Sequence, residues 1–199
     1  SSILNSMSDK KNFNALDLDG FWRHSICVGV MAKTFAKKQQ VDPKKLEEYF
    51  VAGLLHDIGK IPLNSQVPED YVKVMTYSLK NKIPLCQIEK KYFGMNHAEV
   101  GYQVANQWKL NPALLQAIAF HHELEKVHES LQKFVATIAL ANIVTNKAEI
   151  GFSGNKFSAL DEKVIFEITG LTWEDVDEAE ETAQDAVKNA EIFLQISNG

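Results

Sequence analysis

Little in this 199-residue chain suggests an extracellular, membrane or nucleic-acid-binding protein. There are two cysteines, Cys27 and Cys86, neither in a CxxC motif, so no disulfide framework is available and a reducing cytoplasmic setting is expected. No run approaches the roughly 18 apolar residues of a membrane span. The opening SSILNSMSDKKNF lacks the charged-then-apolar pattern of a secretory leader. Basic residues are in deficit, with Lys plus Arg 21 against Asp plus Glu 26 and a net charge of −5. Nucleic acid and membrane surface are therefore not expected partners. The length suits one domain able to bury its own core.

Glycine (10) and proline (5) are also few, and most fall where helices should begin or end. Asp42-Pro43 is an N-cap followed by proline in the first turn, before the helically spaced KKLEEYFVAGLLHDI. Pro68, Pro84 and Pro112 open further helices, and Gly94 closes one of them. Asn96 with Glu99 forms a capping-box pair, and Ser158-x-x-Asp161 and Thr172-x-x-Asp175 have the same form. A long helix is expected from Leu131 to about Lys147, and a loop over IGFSGNKFS, residues 150–158. No β-alternating run or tandem repeat is present. The six acids between Glu174 and Glu181 read as the solvated face of the last helix. Phe21, Trp22 and Trp108 lie on apolar faces and read as core. The chain is thus expected to be all-α, a single bundle of roughly eight helices.

Histidine carries the chemical signal. His24, His56, His97, His121 and His122 come from four expected helices, and Asp57 adjoins His56; His128 sits in a polar turn and reads as surface. A bundle can bring such residues to one interior point. Adjacent helical positions diverge by about 100°, so His56-Asp57 would grip a metal from the side or let the carboxylate bridge two. His121-His122 offers the same geometry. Nitrogen and carboxylate ligands suit iron, manganese, zinc or nickel better than magnesium or calcium. Lys60, about one turn after Asp57, is placed to meet a phosphate oxygen. The plainer alternative is that these histidines are merely packed or exposed.

FWRHS, LLHDIGK, NHAEVG and FHHE, in this order, resemble the HDOD domain of the HD superfamily and much of the metal framework of HD-GYP phosphodiesterases. The resemblance runs from about Phe21 to Gln195. It implies metal ligands at His24, His56, Asp57, His97, His121 and His122, with Gly101 completing H-x-x-x-G, and divalent ions, iron or manganese foremost. It also implies catalytic roles for Asp57 and Lys60 if the domain is an enzyme. Three departures stand out. Asn142 occupies the position of the closing aspartate, HHELEKVHES lacks the DGxGYP continuation, and Gly20 stands where some relatives place a glutamate. A third metal and cyclic-di-GMP hydrolysis are accordingly not expected.

The resemblance favours a bacterial signalling or regulatory module, with signalling proteins or a phosphate-containing small molecule as partners. A metal-dependent phosphohydrolase is the alternative. HDOD domains usually carry helices before the FWRHS segment. Residues 1–20 are accordingly expected to be the end of an upstream helical segment and linker, and 21–199 the metal-binding helical domain.

Overall fold

The computed structural model describes residues 16–197, with side chains through residue 188. Residues 1–15 of the expected upstream segment lie outside that range. The described residues form ten α-helices, short 3-10 turns and no strand. They are α1 (Leu18–Lys38), α2 (Leu46–Leu55), α3 (Lys60–Gln66), α4 (Pro68–Asn81) and α5 (Leu85–Phe93). These continue as α6 (His97–Gln107), α7 (Pro112–Phe120), α8 (Gln132–Lys147), α9 (Glu162–Thr169) and α10 (Trp173–Ser197).

The helix ends follow from side chains next to them. Asp17 starts α1 by accepting from the backbone N–H groups of Asp19 and Gly20. Asn96 and Glu99 form a complete capping box at α6. Thr172 and Asp175 bond reciprocally at the start of α10. Gly94 and Gly170, both with positive φ, close α5 and α9.

Three expectations need correction. Ser158 does not cap α9: Asp161 does, three residues later, accepting from the Lys163 N–H, while the Ser158 hydroxyl accepts from Leu160 within the loop. Trp108 is not core; it is the C-cap residue just past the end of α6 and is 37% exposed. Finally, KKLEEYFVAGLLHDI is not one helix. The α-helix stops at Leu55, and His56–Gly59 form tight i→i+3 turns, Ile58 N–H to Leu55 at 3.0 Å and Lys60 N–H to Asp57 at 2.9 Å. A short α3 then restarts, with Pro62 in its first turn where no N–H is required.

Helix α8 is the axis of the bundle. Every residue from Phe134 to Thr145 is buried, as expected of a helix enclosed on all sides. Around it α1, α2, α7, α9 and α10 build one apolar cluster that includes Val28, Met31, Phe35, Ile138 and Ile165. A second cluster, with Phe21, Ile61, Tyr71, Val74 and Leu85, joins the helices α3 to α6. Among the acids at the start of α10, Glu174, Asp177, Glu178 and Glu181 face solvent and Asp175 and Glu180 are partly buried, while Val176, Ala179, Ala183 and Val187 supply a buried stripe. Lys38 reaches across to Asp175 and Glu178. Both cysteines are free and buried, and burial pushes their thiols up to about 11 for Cys27 and about 12 for Cys86.

Candidate metal centre

Close helix crossings bring the histidines together. Gly53 of α2 sits against Gly29 of α1, where a Cβ would lie 2.7 Å from the Gly29 backbone. At that crossing the rings of His24 and His56 are 5.5 Å apart. Gly59 likewise lies on the start of α6, since a Cβ there would meet the His97 carbonyl at 1.9 Å. The turn carrying His56 and Asp57 is thereby pressed against the helix that begins with His97. Helix α7 ends at Phe120, and His121 and His122 follow at its C-terminal end.

All of these residues except His122 are essentially without solvent contact; His122 is half-buried. Two groups form, and Asp57 belongs to both: His24 and His56 with Asp57, and His97, His121 and His122 with Asp57. The two carboxylate oxygens divide between them. Oδ2 lies 3.3 Å from His56 Nε2 and 3.9 Å from His24 Nε2. Oδ1 lies 3.1 Å from His97 Nε2 and 3.6 Å from His121 Nε2. His97 and His122 approach through their Nε2 atoms at 3.0 Å.

The opposite ring nitrogens determine the tautomers. His56 Nδ1 lies 2.6 Å from the Gly53 carbonyl, and His121 Nδ1 lies 3.1 Å from the carbonyls of Ala117 and Ile118. A carbonyl only accepts, so Nδ1 carries the proton in both rings and the neutral ring presents a lone pair at Nε2. His97 Nδ1 donates to the buried Glu89 at 2.5 Å.

Burial, then the neighbouring His56, lowers His24 to about 3. Burial likewise lowers His121 to about 4, and burial, with His121 and His97 disfavouring a further positive charge beside them, keeps His122 well below its ordinary range. These rings are neutral at physiological pH. His97 differs: burial opposes its charge, but Glu89 and Asp57 outweigh it and raise its pKa. Burial also opposes ionisation of Asp57, and the surrounding His56, Lys60 and His97 overcome it and hold the carboxyl well below its usual range.

A divalent cation fits this set. His24 Nδ1 and Nε2, His56 Nε2, His121 Nε2 and Asp57 Oδ1 are buried without hydrogen-bond partners, an arrangement that is costly unless something binds there. The neutral rings of His24, His121 and His122 beside an ionised Asp57 are in the protonation states that metal ligation requires. His24, His56 and Asp57 would hold one ion, and Asp57, His97, His121 and His122 another.

Lys60 is fully buried beneath Asp57, its ammonium 2.5 Å from Oδ2 and 3.1 Å from the Ser153 hydroxyl. Asn142 is buried beside His24, and its oxygen accepts from Asn146 Nδ2 at 2.9 Å. A cavity of about 230 Å³ opens onto His121, His122 and Asn142, with Asn146, Lys82 and Lys156 among its walls. His128 is exposed, as expected, with Nδ1 on the Ser130 hydroxyl.

The sequence reading passed over Glu89, Tyr71 and Ser153. Glu89 was detectable in principle: it shares a helical stripe with Leu85 and Phe93, and a charge in an apolar stripe calls for a buried partner.

The order of motifs and this geometry agree with a family-wide comparison, in which the HDOD domain pattern matches residues 1–124. The chain belongs to the HDOD domain family. An uncharacterized protein of Treponema pallidum is 28% identical over 122 residues, 61% of this chain but 24% of that protein. This HDOD chain therefore spans about a quarter of that curated relative's length. Among solved structures, an HDOD domain protein of unknown function from Geobacter sulfurreducens is 25% identical with a TM-score of 0.68, covering 94% of this chain and 64% of that one. A candidate phosphohydrolase from Shewanella amazonensis (TM-score 0.67) and the MmoQ response regulator of Methylococcus capsulatus (TM-score 0.60) are each 19% identical, covering 88% of this chain and 65% of theirs. At that identity they show the fold alone. Among the described residues no helix is long and apolar enough to cross a membrane.

Proposed function

We propose that this HDOD chain is a metal-binding regulatory module of a bacterial signalling protein, with Asp57 as the carboxylate shared between two cation positions. The observation that carries the reading is the division of Asp57, one oxygen facing the His24–His56 pair and the other facing His97 and His121. The ligands are His24, His56, Asp57, His97, His121 and His122, and iron or manganese suits them best, with zinc or nickel next.

Two features favour regulation over hydrolysis. The Lys60 ammonium is committed to Asp57 and Ser153 inside the protein. Asn142 brings an uncharged amide, its oxygen already bonded to Asn146, where the resemblance leads one to expect a carboxylate. The phosphohydrolase reading rests on the cavity that meets His121 and His122 beside Lys82 and Lys156. A divalent cation held here would supply Lewis acidity and neutralise phosphoryl charge. In that reading Asp57 and Lys60 would act together, the lysine holding the carboxylate or turning toward substrate.

Elemental analysis of protein purified without chelator tests the shared premise. Divalent transition metal should co-purify and be lost in Asp57→Ala; failure to take up manganese, iron or zinc overturns the metal reading. A chromogenic phosphodiester assay with manganese or iron then separates the alternatives. Turnover abolished by Asp57→Ala overturns the purely regulatory reading, and metal-loaded but silent protein supports it.

A further inference from the structure

Glu89 lies on α5, outside every histidine motif, yet its carboxylate is fully buried and takes three hydrogen bonds. Oε2 accepts from His97 twice, from ring Nδ1 at 2.5 Å and from the backbone N–H at 2.9 Å. Oε1 accepts from the Tyr71 hydroxyl at 2.7 Å. Tyr71, on α4, is itself fully buried. Burial alone would raise the Glu89 carboxyl; the charge and bonds of His97, with Lys60, hold it below the ordinary value.

We propose that Glu89, held in turn by Tyr71, is a positioning residue that fixes the ring of His97 for metal ligation. The proposal rests on the cluster being a metal site. The backbone bond anchors Oε2 beside His97, and the Nδ1 bond opposes a flip of the ring. Because a carboxylate only accepts, the Nδ1 bond also places the proton on Nδ1 and directs the Nε2 lone pair toward Asp57 and His122. A negative charge behind the ring makes Nε2 a stronger donor to a cation. No comparable carboxylate backs His56 or His121, whose Nδ1 atoms meet only backbone carbonyls. Of these three rings, His97 alone has its Nδ1 held by a side chain.

The test compares the wild-type chain with Glu89→Gln and Tyr71→Phe. Manganese and zinc affinities are measured by competition with a fluorescent chelator, the fold by circular dichroism, and the His97 ring by long-range ¹⁵N–¹H NMR of metal-free protein. Glu89→Gln should stay folded and lose about 10–100-fold in affinity, the usual effect of removing such a partner. Its His97 Nδ1–H resonance should shift from the wild-type position, because an amide oxygen can still accept that proton but carries no charge. Tyr71→Phe keeps the Glu89–His97 bonds and should lose less affinity than Glu89→Gln. A merely structural Glu89 would lower the melting temperature and leave metal affinity and the His97 resonance unchanged, which overturns the proposal. If Glu89→Gln fails to fold, the wild-type spectrum and Tyr71→Phe decide: a wild-type His97 ring protonated at Nε2 rather than Nδ1, or undiminished metal affinity in Tyr71→Phe, overturns it. Wild-type protein that binds neither ion overturns the metal reading as well. Wild-type binding matched by a folded Glu89→Gln overturns the positioning role alone.

Discussion

Asn142 is the residue at which the candidate centre departs most clearly from a symmetric pair of ion positions. The group around His97 has four ligand-bearing residues and that around His24 has three, with Asn142 beside it supplying an amide. Replacing Asn142 by Asp puts a second carboxylate next to neutral, buried imidazoles. Without metal the added charge lacks a partner and should lower the melting temperature. With metal it becomes a ligand, and affinity at the weaker position should rise by on the order of tenfold, the lower end for changes around a metal ligand. Thermal melts with and without manganese check both signs: the variant should start lower than wild type and gain more. A lower melting temperature with no larger gain from manganese would count against a cation position there.

Much of this was readable from residue types. The histidines and Asp57 stand in motifs whose chemistry is legible without coordinates, whereas the place of Asn142 came from the resemblance to the HDOD family. Their protonation states were not, because these depend on which carbonyl or carboxylate meets each Nδ1. Nor was the burial of Lys60, whose ammonium is tied to Asp57 rather than held at an open mouth.

At the scale of elements, glycines show where periodicity stops being informative. Gly94 is a helix terminator readable from sequence, and its positive φ agrees; Gly170 plays the same part for α9. Gly59 has an ordinary negative φ, and its role is close approach: the turn after α2 touches the backbone at the start of α6. Gly59→Ala would drive a Cβ into the His97 carbonyl, which cannot move without disturbing α6. Stability should fall by about 1–3 kcal/mol, the common cost of overpacking. Because the displaced backbone carries His97, a proposed ligand, metal affinity should fall as well, read in one experiment by melting with and without manganese. Loss of stability with undiminished metal affinity would mean that the turn and α6 are not coupled at the centre. The same contact explains why KKLEEYFVAGLLHDI does not continue as one helix. Apolar spacing runs through the segment, yet tertiary packing favours the tight turn that puts Asp57 between two helices.

For the whole molecule, the centre joins α1, the α2–α3 turn, α6 and the end of α7, four stretches distant in sequence. An ion that binds only when they are assembled should stabilise the entire fold. At free metal 100 times the dissociation constant the gain is about 2.7 kcal/mol. For a chain of this size that corresponds to a rise of roughly 5–11 °C in melting temperature, at about 2–4 °C per kcal/mol. A chelator should reverse it, and Asp57→Ala, which removes the proposed shared ligand, should abolish it. Calorimetry with added manganese or zinc reads the effect directly; an unchanged melting temperature at saturating metal would contradict the linkage.

The sequence by itself determined the helical class, most helix ends and the identity of the histidine–aspartate set, since each follows from local chemistry or from short motifs. Tertiary structure alone decided that Asp57 faces two histidine groups, that Lys60 lies buried beneath it, and that Glu89 stands behind His97. Those arrangements depend on which helices touch, and contacts such as Gly29 to Gly53 and Gly59 to α6 leave no periodic trace in the chain.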